Sequence, residues 1–150
     1  MAGFKFRLES ALRLRHLRTE SERAKLQELM AQRKRLENNL AALWQERDEA
    51  AAFVRTTDQP DAHDLRALSL FSIGVQQRAK TLERGIAQLA SQIVDQKQRL
   101  LVAEREERCL SKLRDKRLAE WNAKAMREIE ATAQELWLAT HTTTREDPEG

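Results

Sequence analysis

Proline and glycine are almost absent from this 150-residue chain, at two and four copies, and tyrosine is missing altogether. So few breakers exclude a fold assembled from many short strands and tight turns. Aromatic residues make up 5% and charged residues 34%, a mixture too poor in large apolar groups for a sizeable globular core. The single cysteine, Cys109, precludes an internal disulfide and suits a reducing compartment; it reads as a small residue beside a helix seam. No uncharged stretch approaches the roughly 18 to 20 apolar residues of a membrane span, and the basic start lacks the apolar segment of a secretory signal. A soluble, unsecreted chain is the expectation.

What is present is a heptad pattern. Leu26, Leu29, Arg33, Leu36, Leu40, Leu43, Arg47, Ala50 and Val54 recur at alternating steps of three and four, and the same steps run back through Glu22, Thr19, Arg15, Leu12 and Leu8. This predicts a first helix over about residues 6–55, some 75 Å at 1.5 Å per residue. Polar seam positions in its first half should pair more loosely than the Leu36–Leu43 block. Thr56 to Asp61 then breaks the pattern, with two β-branched residues, Pro60 and a capping Asp58 or Asp61.

A second helix is expected over about residues 62–138, roughly 115 Å long. Its start holds a dense apolar cluster, Leu65, Leu68, Leu70, Phe71 and Ile73, ending at a flexible Gly74. Val75, Ala79, Leu82, Ile86, Leu89, Ile93, Gln96, Leu100, Ala103, Glu107 and Leu110 keep strict steps. Arg114 and Leu118 then follow at two successive four-residue steps, a stutter that locally unwinds a supercoil. A run of threonines, Pro148 and Gly150 marks residues 140–150 as a disordered tail. The fold class that follows is all-α: a long two-stranded antiparallel coiled-coil hairpin over residues 1–139, turning at about 56–61.

Charge is distributed unevenly. Residues 1–35 hold ten Lys/Arg against four Asp/Glu, and residues 119–150 hold three against seven. Antiparallel folding would bring the basic and acidic arms together. The second helix outruns the first, so Trp121, Met126, Ile129, Leu136 and Trp137 should lie on an unpaired overhang, a candidate binding surface.

The chemistry of an enzyme is not visible. His16, His63 and His141 sit in separate segments without a metal-binding spacing and read as solvated; the glycines are isolated and form no phosphate loop. Glu104, Glu106 and Glu107 read as a charge run on an open helix, where nothing shifts a pKa. No catalytic residue, metal, cofactor or small-molecule substrate is expected. The basic stretch from Arg13 to Arg35 is interrupted by glutamates and carries no interleaved aromatics, which argues against nucleic acid as a partner.

The opening Phe4-Lys5-Phe6-Arg7-Leu8-Glu9-Ser10-Ala11-Leu12-Arg13-Leu14-Arg15 resembles the start of the flagellar FliJ family. The segments Thr81-Leu82-Glu83-Arg84-Gly85-Ile86-Ala87-Gln88 and Glu104-Arg105-Glu106-Glu107-Arg108-Cys109-Leu110-Ser111-Lys112-Leu113 are also similar to it, so the resemblance covers about residues 4–130. It implies a non-enzymatic, cytoplasmic component of the flagellar type III export apparatus, held peripherally at the inner membrane through its partners. Those implied partners are the export ATPase FliI, whose hexameric ring would receive the stalk's joined ends, the export gate protein FlhA, and export chaperones. Phe4, Phe6, Arg13, Arg15, Arg18 and Trp121 are then candidates for the ATPase-facing end. Phe71, Val75 and Leu82 are candidates for gate binding, although Arg78 stands where members often have an aromatic. The rival expectation is a generic self-associating coiled-coil tether, parallel, with Pro60 as a kink instead of a turn.

Overall fold

The structure, a computed structural model, describes residues 3–143. It is all-α: two helices, α1 (Glu9–Thr56) and α2 (Ala62–Thr143), pack against each other as a helical hairpin, with no strand among the described residues. Pro60 therefore lies in a turn, and the kinked parallel arrangement is not adopted.

Local chemistry fixes the helix ends. α1 begins at Glu9, three residues later than its sequence pattern suggests, because Phe6 to Leu8 form a turn in which the Glu9 amide donates to the Phe6 carbonyl at 3.1 Å. At its other end the Thr56 and Thr57 hydroxyls donate to the Phe53 carbonyl at 3.1 and 2.9 Å, occupying an acceptor that would otherwise face water. α2 opens on a reciprocal cap. The Asp64 amide donates to the Asp61 carboxylate at 2.8 Å, and the Asp61 amide donates to the Asp64 carboxylate at 3.4 Å. Of the two capping candidates, Asp61 takes the role.

Two sequence expectations for α2 are corrected. Gly74 does not loosen the chain: the helix runs straight through it, and no described glycine has a positive φ. Nor does the helix stop at residue 138. The Thr140 hydroxyl donates to the carbonyls of Leu136 and Trp137 at 3.0 and 2.9 Å, and Thr142 to those of Leu138 and Ala139 at 2.8 and 3.2 Å, so the hydroxyls bond back along the helix instead of ending it. The remainder of the expected tail, 144–150, lies outside the described residues.

The chain divides into two compact units. One comprises Leu17–Glu104. Here the heptad reading holds throughout: every α1 seam residue from Thr19 to Val54, and every α2 seam residue from Val75 to Ala103, is buried or half-buried. Two helices can shield each other on one side only, which is why most of these side chains are only half-covered. The tightest cluster is Leu43, Val75 and Ala79, with Leu40, Trp44, Phe71 and Leu82 packed against it. Gly85 permits a close approach: a Cβ there would sit 3.1 Å from Leu36 Cδ1. Thr19 and Gln96 are buried polar seam residues, and Gln96 Nε2 donates to the Glu22 carbonyl oxygen at 3.0 Å and also to its carboxylate.

The other unit joins the residues up to His16 to those from Arg105 onward. Its seam, Leu12 and Arg15 with Glu107, Leu110, Arg114 and Leu118, is half-buried, but Leu8, expected on the same seam, lies ahead of α1 and is 40% exposed. Polar and charged pairs cross it: Arg15 to Glu106 at 2.5 Å, His16 Nδ1 to Glu107 at 2.7 Å, and Arg114 to Glu9 at 3.0 Å.

Candidate functional site

At the start of the chain, short side-chain alternation does the positioning. Phe4, Phe6 and Leu8 alternate with Lys5 and Arg7, and the segment lies against the α2 positions Leu113, Arg117, Glu120, Trp121 and Lys124, which recur at helical spacing. Together they line an open groove of about 690 Å³. The Phe4 ring meets the Trp121 ring edge-on, centroids 6.3 Å apart with the planes at 60°, the geometry that sets a positive ring edge against a negative face. Lys5, Arg7, Arg117 and Lys124 outnumber Glu120 around this aromatic floor. Such a groove suits an acidic, partly apolar protein surface.

Of the six residues expected at the ATPase-facing end, the structure therefore brings Phe4, Phe6 and Trp121 together. Arg13 is exposed but does not line the groove. Arg15 is held in its ion pair with Glu106, and Arg18 belongs to the Leu17–Glu104 unit. The cations that do line the groove are Lys5, Arg7, Arg117 and Lys124. The spacing of Leu113, Arg117, Trp121 and Lys124 on one helix face was the available signal.

Of the three residues expected to bind an export gate, Val75 is buried in the hairpin and Phe71 and Leu82 are half-buried against it. Val75 is 0% exposed and belongs to the core cluster, and Phe71 and Leu82 pack against it. Heptad position explains this for Val75 and Leu82, which lie on the α2 seam, while Phe71 of the preceding apolar cluster sits one four-residue step before Val75. The exposed apolar side chains of the same region are Leu65, Leu70 and Ile73, with Phe53 on α1 at 75% exposure. Nearby, Ala50, Phe53, Val54, Ala67, Leu68 and Phe71 line most of an open apolar groove of about 420 Å³.

Two readings of charge are also revised. Glu104, Glu106 and Glu107 are not a run on an open helix but half-buried, each bonded across its own unit: Glu104 to Arg23 at 3.6 Å, Glu106 to Arg15 and Glu107 to His16. His16 is consequently paired, and His141 stacks on Trp137 at 4.1 Å. The basic first arm is thus met by this middle segment of α2. Residues 126–142 are exposed, and of the five residues expected on the overhang Met126, Ile129, Leu136 and Trp137 lie uncovered, whereas Trp121 is instead met by Phe4, because the chain ahead of α1 reaches back over it. Cys109 is exposed as well.

One titratable group is perturbed. The Glu22 carboxyl lies below its ordinary value, chiefly because the Gln96 amide donates to its ionised form, with Lys25 and Arg99 adding positive charge against the opposing effect of burial. Among the described residues no helix is long and apolar enough to cross a membrane. No protein-family model matches the chain, and no curated protein or solved structure is found similar to it.

Proposed function

We propose that this chain is a non-enzymatic stalk component of a flagellar type III protein-export apparatus, as its resemblance to the FliJ family suggests. In this reading the hairpin engages the ring of the export ATPase FliI and promotes its assembly and hydrolysis. It also links the ring to the gate protein FlhA and to export chaperones. It acts in the cytoplasm, reaching the membrane face through these partners, and requires no cofactor.

The observation that carries the reading is the groove in which the first residues of the chain meet Trp121. An aromatic floor ringed by cations suits docking against an acidic, partly apolar protein surface. For the gate, the exposed Leu65, Leu70 and Ile73 replace the buried Val75 as contact residues.

The test is hydrolysis by the export ATPase with and without this protein. Phe4→Ala with Trp121→Ala, and separately Lys5→Glu with Arg7→Glu, should abolish most of the stimulation while circular dichroism shows unchanged helix content. Full stimulation by both double variants would sink the proposal.

A further inference from the structure

The residues ahead of α1, Phe4 to Leu8, form a strap lying against α2 at Trp121. Its backbone bonds run only into its own helix: the Leu12 amide donates to the Leu8 carbonyl at 2.9 Å, and the Phe6 carbonyl accepts from Glu9. Among the described residues no backbone bond ties the strap to α2, so the half-buried Phe4 and Phe6 side chains hold it there. Trp121 still reaches solvent beneath the strap, at 37% exposure.

Charge works against that hold. Among the described residues Glu120 is the one carboxylate lining the groove, and Arg117 occupies it at 3.5 Å. Lys5 and Arg7 on the strap and Lys124 on α2 have no carboxylate partner among the described residues. Docking the strap therefore carries two uncompensated cations onto a helix face that already holds a third. A hold made of two rings, opposed by like charge, belongs to the part of a structure that opens locally while the rest stays folded.

We infer that the strap is a lid closed by its partner: an acidic segment of another protein pairs with Lys5, Arg7 and Lys124 together, and so binds the docked strap in preference to the released one. Binding and closure are then linked, each favouring the other. Glu120 in the same wall disfavours a ligand charged at every step, such as a nucleic-acid backbone, and the rings favour apolar side chains between the acidic ones. The inference rests on the docking role proposed for this groove, but not on the identity of what docks.

The test uses the full chain carrying Trp44→Phe and Trp137→Phe, which leaves Trp121 as its one tryptophan, with poly-L-glutamate as the probe. Acrylamide, an uncharged quencher, reads how far the strap covers Trp121. Saturating probe in low salt should lower the quenching constant by about half. Phe4→Ala with Phe6→Ala should abolish that drop, which separates closure of the strap from shielding by the probe itself. Arg117→Gln with Lys124→Gln should move the two readouts in opposite directions. Without probe the quenching falls, because less charge opposes the strap and the freed Glu120 attracts it, while affinity for the probe drops at least about fivefold.

A quenching constant indifferent to the probe, or to the substitutions at Arg117 and Lys124, would mean a fixed groove and overturn the inference. So would failure of the probe to bind, a drop that persists in the Phe4→Ala, Phe6→Ala chain, or quenching that rises in Arg117→Gln with Lys124→Gln. No ATPase is present, so a lost probe response and a lost stimulation of hydrolysis are separate failures, the first of the lid and the second of the export reading.

Discussion

Gln96 of α2 donates to Glu22 of α1 across 74 residues of sequence, reaching its carbonyl oxygen at 3.0 Å and its carboxylate with the same amide nitrogen. Both residues occupy seam positions where an apolar pair would bury more area. A polar pair at such a place is satisfied in one alignment of the two helices and broken by a slip, so it discriminates between registers that leucines would tolerate.

A pH dependence follows from this pair. Because the folded-state pKa of Glu22 is depressed, its contribution is fully present above the ordinary value of 4.5 and is lost as pH falls through the lower folded value. Thermal melts should therefore show a midpoint that drops on acidification below pH 4.5, and the drop should be smaller in Gln96→Leu. Equal acid sensitivity in the two proteins would remove Gln96 as the cause.

The two helical glycines should respond differently to alanine. A Cβ at Gly74 meets nothing within 4 Å, so Gly74→Ala should stabilise the hairpin by about 1 kcal/mol through helix propensity alone. At Gly85 the new methyl would press on Leu36 Cδ1 at 3.1 Å, so Gly85→Ala should gain less than Gly74→Ala or lose stability. Urea midpoints of the two variants decide the order.

Burial separates neighbouring apolar residues of similar size. Leu43, 8% exposed in the tightest cluster, should cost about 2–3 kcal/mol on truncation to alanine, since little of the cavity can collapse. Leu70→Ala, at a side chain 65% exposed, should stay within about 0.5 kcal/mol. If chemical denaturation ranked Leu70→Ala as the costlier change, the assignment of faces on α2 would be reversed.

The Arg15–Glu106 pair is close, at 2.5 Å, but both side chains are more than a third exposed. A double-mutant cycle with Arg15→Ala and Glu106→Ala should give a coupling below about 1 kcal/mol, shrinking further in 1 M salt. A coupling of several kcal/mol would mean that water is excluded there.

Much of the architecture was legible because a coiled coil is written in short-range periodicity. The steps from Thr19 to Val54 and from Val75 to Leu118 named the inward face residue by residue, and Pro60 with Asp61 located the turn. Those rules are local: helix pitch, capping and the missing amide of proline operate within one or two turns. The same rules misled at Gly74 and at Thr140 and Thr142, where helix continuity and hydroxyl-to-carbonyl bonds outweighed low propensity. It was the resemblance, not these rules, that offered Val75 for binding, and its heptad position buries it.

Periodicity alone dictated the two helices, their inward faces and the surplus length of the second. What it could not supply was which positions of one arm stand opposite which positions of the other, because that alignment depends on contacts between residues some ninety positions apart. Only the packed hairpin assigned Glu106 and Glu107 to Arg15 and His16, and gathered Lys5, Arg7, Arg117 and Lys124 around Phe4 and Trp121. Opposition across a helix pair is a property of register, and register is settled by long-range side-chain fit, which no single segment encodes.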